Sequence, residues 1–524
     1  MFQYALSVVI FLPILTGLAM LLFPFSKGVA RFTGFAVTIV TLLLGFELFL
    51  GFDGNGAMQY VESRPWIESL GISYGLGIDG ISLMVLMVNV VLFPLVFVLF
   101  KSRTKGYYGS LLIAQGAMAG AICATDLVLF YIFWEIMLLP IFFMIGLYGG
   151  EKRLAATLKI TIYTIAGSLL MLVGLIYVGV CHHAQFGNWT FDIVQLGALN
   201  LSGGYAILAF FMFMVAFAIK IPLFPFHTWL PDGYSEAPTA TTFVLSAIMA
   251  KIGVYAVIRF VIPIFDIEFA RWAILLSLSG VVGMMYCGLA AIAQKDIKRM
   301  LAFSSASHMG IIGLGVFCMN VQALTGSLFQ IAAHATSTGV LFLFVGLLEE
   351  RMETREIKAL GGIAYQAPIF ATFFAIAMLA SVGLPGTSGF IGEFLIILGA
   401  IKFSTFIGVL AGTTLVIGVC YMLWMFQRVF FEKPNKLTST FTDLSKGEII
   451  AFVPVILLIM AMGIFPQTFI KKIEPAAQQQ VAQFSTAEQA RFAKQLQPQK
   501  ENEVKNQPGK RGLDGIRFLT FQGH

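Results

Sequence analysis

Charge is scarce in this chain. Only 11% of its 524 residues are Asp, Glu, Lys or Arg, against 58% hydrophobic ones. A water-soluble domain cannot hide that much apolar surface, so a polytopic membrane protein is indicated instead. Cysteine is scarce too. The five residues Cys123, Cys181, Cys287, Cys318 and Cys420 form no CxxC, which argues against iron–sulfur or zinc ligation by this chain. Without a clustered His/carboxylate motif, no bound metal is expected. There is no GxGxxG after a strand, no Walker A sequence and no haem motif, so neither nucleotide binding nor ATP drive is supported and no cofactor is expected here. The net charge of +6 lies in loops and tail and does not suggest nucleic-acid binding. The opening MFQYALSVVIFLPILTGLAMLLF lacks a basic n-region and a cleavage site, and reads as a first membrane helix, not a removed signal.

What is present is apolar sequence in spans of membrane length. About 20 mostly apolar residues make a crossing helix, and about fourteen such segments can be counted, near 3–24, 29–51, 79–100, 108–125, 127–148, 157–181, 203–225, 240–262, 272–294, 301–319, 325–348, 368–400, 405–431 and 448–469. The fold class expected is an all-α polytopic membrane protein in contact with the lipid bilayer. The twelfth segment is too long for one straight span and contains GLPGTSGF. Loops after odd-numbered helices hold eighteen Lys and Arg, and loops after even-numbered helices hold four. The positive-inside rule then places the odd loops in the cytoplasm and both termini on the non-cytoplasmic side, of a bacterial inner membrane if the source is bacterial.

The helix starts repeat. Those of helices 4 to 8 recur in helices 9 to 13 at a spacing of about 165 residues, and a directly repeated five-helix unit must enter the membrane from opposite sides, giving inverted repeats. The expected organisation is helices 1–3 with a loop over 1–107, a first repeat over 108–262, its inverted counterpart over 272–431, helix 14 over 432–470, and a polar Gln-rich tail over 471–524. Within the tail, 475–496 could form a helix with a weak apolar face of Val481, Phe484, Phe492 and Leu496. In the first repeat AFAIKIPLFPFHTWLPDG carries Pro222 and Pro225. Pro385 lies at the matching place in the second. Helices 7 and 12 are therefore expected to be broken, and paired interruptions point to an ion site. FHTWLPDG reads as the turn by which helix 7 leaves the membrane. The alternative is that the prolines only kink packed helices.

Among the basic residues, only Lys220 and Lys251 read as lying well inside apolar spans. Among the acids, Glu135 and Glu393 do; Glu47, Asp79 and Asp126 lie nearer helix ends. Each central charge costs about 2.5–3.5 kcal/mol on insertion scales, which makes such residues functional candidates. A Glu135–Lys220 pair about 7 Å apart at an effective dielectric near 20 would be coupled by about 2.4 kcal/mol, enough for movement of one partner to shift the other's proton. A plain buried ion pair is the structural alternative, although such pairs are often no more stabilising than apolar residues. His308, in LAFSSASHMG, and His334, in LFQIAAHATSTGVLFLF, fit between these charges. Gln330, His334, Ser337 and Thr338 share one helical face, which suits either a water chain or interhelical hydrogen bonds. His182 and His183 read as interfacial.

The stretches DLVLFYIFWEIMLLPIFFMIGLYGG, AFAIKIPLFPFHTWLPDGYSEAPT, AKIGVYAVIRF, QKDIKRMLAFSSASHMG, AAHATSTGVLFL and GLPGTSGFIGEFLI resemble the antiporter-like subunits of respiratory complex I, the proton-translocating NADH:quinone oxidoreductase. The resemblance runs from about residue 75 to 470 and implies fourteen helices with two inverted repeats. It assigns the coupled glutamate and lysine to Glu135 and Lys220, the helix 8 lysine to Lys251, the central histidines to His308 and His334, and the terminal residue of helix 12 to Glu393. Glutamate at that last position favours the chain M, or subunit 4, branch over chains L and N, which typically carry lysine. The resemblance further implies neighbouring chains L and N as partners, with flavin, iron–sulfur clusters and quinone in partner subunits. The polar tail departs from the family pattern.

The function expected is therefore proton translocation inside a redox-driven complex, with protons passing from Lys251 along His334 and His308 to Glu393. The alternatives are a subunit of a multisubunit sodium/proton antiporter or of a membrane-bound hydrogenase, and an inert membrane scaffold.

Overall fold

A chain segment in lipid has no water to satisfy its backbone, so each apolar run closes its hydrogen bonds internally as a helix. In the computed structural model, which describes residues 4–101 and 103–485, eleven helices among the described residues are long and apolar enough to cross a membrane. The Lys105–Cys123 helix and two interrupted helices occupy the other apolar segments. One interrupted helix runs Gly204–Lys220 and resumes at Trp229–Glu236. The other runs Pro368–Ser381 and resumes at Ser388–Phe403. The first break corrects the sequence reading. FHTWLPDG is not an exit turn, because from Trp229 onward it is helical again, with Pro231 in the first turn, where a missing N–H costs nothing.

Burial sorts these helices. Thr239–Ile264 and Val321–Met352 are enclosed throughout their apolar windows, and they carry Lys251 and His334. By contrast Ala5–Leu22, Lys27–Leu50 and Arg153–Phe186 turn Leu15, Leu43 and Ile162 outward, an apolar exterior suited to lipid. Arg153–Phe186 has 34 residues, about 51 Å of rise, so it outruns a hydrocarbon core of roughly 30 Å. At its end His183 stacks on Trp189 with ring centroids 4.6 Å apart. His182 bonds through Nδ1 with the Asn188 carbonyl oxygen.

The loop after the second helix holds an antiparallel hairpin, Gln59–Ile67 paired with Ile72–Ile78, which the sequence reading did not anticipate. Its buried Glu62 accepts from the backbone N–H groups of Leu6 and Ser7 and from the Ser7 hydroxyl, satisfying donors that a helix start leaves free. Asp79 then caps the Gly80–Leu99 helix through Ile81 and Ser82, and Asp126 caps Leu127–Ile136 through Val128 and Leu129. Residues 467–485 are helical, so the tail helix starts earlier than expected. Its Phe484 packs edge-on against Phe269. Phe492, Leu496 and the rest of 486–524 lie outside the described residues.

Candidate functional site

The first break sets Lys220. It is the last residue of Gly204–Lys220, where the helix dipole favours a cation. Trp229, across the break, donates its indole N–H to the Ile219 carbonyl at 2.9 Å, and the Leu223 N–H bonds Ala218. Two of the carbonyls that the break frees, those of Ala218 and Ile219, are therefore capped without using the lysine. Lys220 is 1% exposed, and its Nζ has no hydrogen-bond partner. It lies 4.6 Å from the centre of the Trp134 ring, a cation–π contact. Glu135, the next residue, is the charge coupled electrostatically to Lys220, and its Oε1 is buried without a partner. No ion pair within 4.0 Å joins them. The two charges interact but are not locked together.

Lys251 owes its setting to a widened turn. Leu245–Met249 is π-helical, a local bulge that releases a backbone carbonyl from the helix ladder. The fully buried Lys251 donates to the freed Ser246 carbonyl. Its Nζ also lies 2.6 Å from His334 Nδ1. A lysine that donates there makes Nδ1 the acceptor, which places the proton of a neutral imidazole on Nε2. That Nε2 has no partner, and the His308 ring is 5.3 Å away, centroid to centroid.

His308 is held by two carbonyls. Nδ1 lies 2.8 Å from the Ser304 oxygen and Nε2 lies 2.8 Å from the Ser381 oxygen. Ser381 ends the first half of the second interrupted helix, so the break itself supplies this acceptor. A neutral ring can donate to only one of the two; a ring that donates to both is an imidazolium. Its counter-charge is close: Glu393 Oε1 is 3.4 Å from His308 Nε2 and accepts from Gln330 Nε2 at 3.1 Å. Glu393 is 2% exposed and its Oε2 is unpartnered. Gly383, in the break at φ +72°, leaves room for that carboxylate, because a Cβ there would sit 2.7 Å from Oε2. A cavity of about 20 Å³ lies against His308, Glu393 and Tyr421, enough for one water.

The six residues singled out in the sequence thus fall into two groups. Lys251, His334, His308 and Glu393 form one run of neighbours from the first interrupted unit to the second. Glu135 and Lys220 form a separate pair, and among the described residues no hydrogen bond joins Lys220 to Lys251. Ser337 bonds its own helix at Ala333, and Thr338 Oγ1 is buried without a partner. Two placements correct the sequence reading, which put Arg259 and Lys298 in loops. Arg259 is buried in a second π-helical turn, Val257–Val261, and pairs with Asp79 at 2.5 Å. Lys298 is 2% exposed and donates to the Ala237 carbonyl at 2.6 Å. The sequence reading also missed Tyr421, whose hydroxyl donates to Ser304 Oγ at 2.8 Å beneath His308. A lone tyrosine in an apolar helix was the available signal. Among the described residues no group of three or more His, Cys, Asp or Glu is placed to hold a metal.

Residues 124–420 match the family described as NADH:quinone oxidoreductase/Mrp antiporter, TM. The chain is 36% identical over 491 residues to NADH-quinone oxidoreductase subunit M of Rhodobacter capsulatus, covering 90% of this chain and 96% of the relative. A chain of respiratory complex I from Thermus thermophilus superposes with a TM-score of 0.84 at 33% identity, covering 92% of this chain and all of that one. A chain of the Mrp complex from Dietzia sp. DQ12-45-1b shares the fold, with a TM-score of 0.79 at 21% identity over 91% of this chain and 97% of that one. The protein belongs to the NADH-quinone oxidoreductase subunit M family, within the larger group of antiporter-like membrane chains.

Proposed function

We propose that this chain is the proton-translocating membrane subunit of a redox-driven NADH:quinone oxidoreductase, and that Glu135, Lys220, Lys251, His334, His308 and Glu393 carry the proton. The observation that supports this reading most is the run of contacts from Lys251 through His334 and His308 to Glu393, laid through the most enclosed part of an apolar bundle. Every member can gain or lose a proton, and backbone carbonyls at Ser246, Ser304 and Ser381 hold the protonated forms. Glu135 sets the charge on Lys220. When that coupling changes, Lys220 releases its proton toward Lys251 across a step that requires water, and the proton moves along the histidines to Glu393.

The same reading orients the chain with its Lys- and Arg-rich loops in the cytoplasm and both termini on the other side of a bacterial inner membrane. Protons enter from the cytoplasm toward Lys251. The interrupted helices mark two inverted units over 108–262 and 272–431, and fourteen crossings are the count that goes with them. Chains L and N are the proposed neighbours, and the electron carriers belong to partner subunits.

The test is made in the assembled complex. Glu135→Gln and Lys220→Ala each nearly abolish NADH-driven acidification in proteoliposomes and lower quinone reduction, while all subunits still co-purify. Full pumping by an assembled Lys220→Ala complex refutes the mechanism. Mass spectrometry of co-purified chains and the sodium response of transport separate this reading from an antiporter, which would carry no flavin or iron–sulfur partners.

A further inference from the structure

A crevice of about 480 Å³ opens between the Lys27–Leu50, Gly80–Leu99 and Lys446–Ile464 helices. From Phe35 to Phe49 it follows about 21 Å of helix rise. Its walls are almost wholly apolar, with Met87, Val91 and Leu458 midway, and its floor is Ala332 and Thr336, which flank His334 in sequence. The volume decides what fits. A helix with side chains is about 10 Å across, too bulky for this space. Its length of about 21 Å exceeds the roughly 15 Å that one leaflet of the hydrocarbon core spans, so one fatty acyl chain lies along it.

One mouth is strongly basic. Arg31, one turn before Phe35, is fastened there by hydrogen bonds to the carbonyls of Phe97 and Val98, at 2.7 and 3.2 Å. Lys27 lies one turn earlier, Lys101 three residues beyond Val98, and Lys446 one turn before Ile450, which lines the crevice; all three are exposed. The nearby Glu448 is already engaged by Arg351 at 2.8 Å through both oxygens. The opposite mouth has Lys472, which donates to the Phe52 carbonyl and lies 4.9 Å from the Phe49 ring.

We propose that the crevice binds one anionic phospholipid of the leaflet that faces Lys27, Arg31, Lys101 and Lys446, with its phosphate among these cations and one acyl chain along the groove. The chain packs against the back of the helix that carries His334 and keeps water off that side of the relay.

The assembled complex is placed in phosphatidylcholine nanodiscs containing phosphatidylglycerol with a diazirine in mid-chain, and adducts are mapped by mass spectrometry after illumination. The expected adducts fall on Met87, Val91 and Leu458, several-fold more often than with the same diazirine chain on phosphatidylcholine. Lys27→Gln and Lys446→Gln each cut the phosphatidylglycerol adducts about fivefold, and Ile39→Trp, which fills the groove, removes them. Adducts confined to the outward-facing Phe32, Leu43 and Leu50 overturn the proposal. Equal labelling by the two lipids also overturns it.

Discussion

Glu393→Gln isolates charge from shape. Glutamine keeps the size of the side chain and an acceptor oxygen for Gln330, so packing beside Gly383 persists while the negative charge goes. The carboxylate oxygen lies 3.4 Å from His308 Nε2. At an effective dielectric of 20, two unit charges at that distance interact by about 5 kcal/mol. A factor of ten corresponds to about 1.4 kcal/mol, so the ratio of charged to neutral His308 falls by between about three and four orders of magnitude when its counter-charge is removed. Proton passage through this chain should then all but stop. The assay is NADH-driven acidification of proteoliposomes, read with a trapped pH dye and normalised to NADH oxidised, on complexes checked for full subunit content. Glu393→Asp serves as the rescue, since it restores the charge about one methylene shorter. A Glu393→Gln complex that is fully assembled and pumps within twofold of the parent, per NADH, refutes the argument that this ion pair carries the proton.

Other perturbations test neighbouring parts of the reasoning. His334→Gln keeps an acceptor oxygen for Lys251 but takes away the ring that can pass a proton on to His308, and should lower pumping at least tenfold in the same assay while thermal stability changes little. Gly383→Ala places a Cβ at φ +72° against the Glu393 carboxylate; the left-handed backbone alone costs about 1–2 kcal/mol, visible as a lower melting temperature of the complex together with reduced pumping. Asp79→Asn leaves Arg259 buried without a counter-charge, a loss of about 3–5 kcal/mol, which thermal melting or the yield of assembled complex detects. Tyr421→Phe deletes one hydrogen bond beneath His308, worth about 0.5–1.5 kcal/mol, and should slow pumping by less than tenfold without affecting assembly.

The six candidate residues were legible because lysine, glutamate and histidine stand out in apolar runs, where the charged ones carry an insertion cost. The breaks were legible because Pro222 and Pro385 interrupt otherwise continuous spans. Adjacency was less so: His308 meets Glu393 across 85 positions, and only packing brings them together. The hairpin over 59–78 was missed because QYVESRPWI exposes most of its residues and lacks a clear alternation of apolar and polar positions. Arg259 looked terminal because only three residues follow it in the span 240–262, whereas the helix runs on to Ile264 and a π-turn carries it inward to Asp79. Trp229–Glu236 looked like a turn because Pro and Gly dominate WLPDGYSE, although proline in a first helical turn is no obstacle.

The carbonyls set against Lys251 and His308 have a consequence for genetics. Lys251 is gripped by the main chain at Ser246 and His308 by the main chain at Ser304 and Ser381. None of these three grips depends on what side chain stands there, so alanine substitution leaves them in place, although at Ser304 it also deletes the acceptor for Tyr421. They are written in the path of the backbone, and only a change of path erases them: a residue inserted into Leu245–Met249, or one deleted from 382–387. Tolerance of substitution at Ser246 and Ser381, joined to intolerance of any change in length, would be the signature of a conduit whose ligands are spelled in geometry.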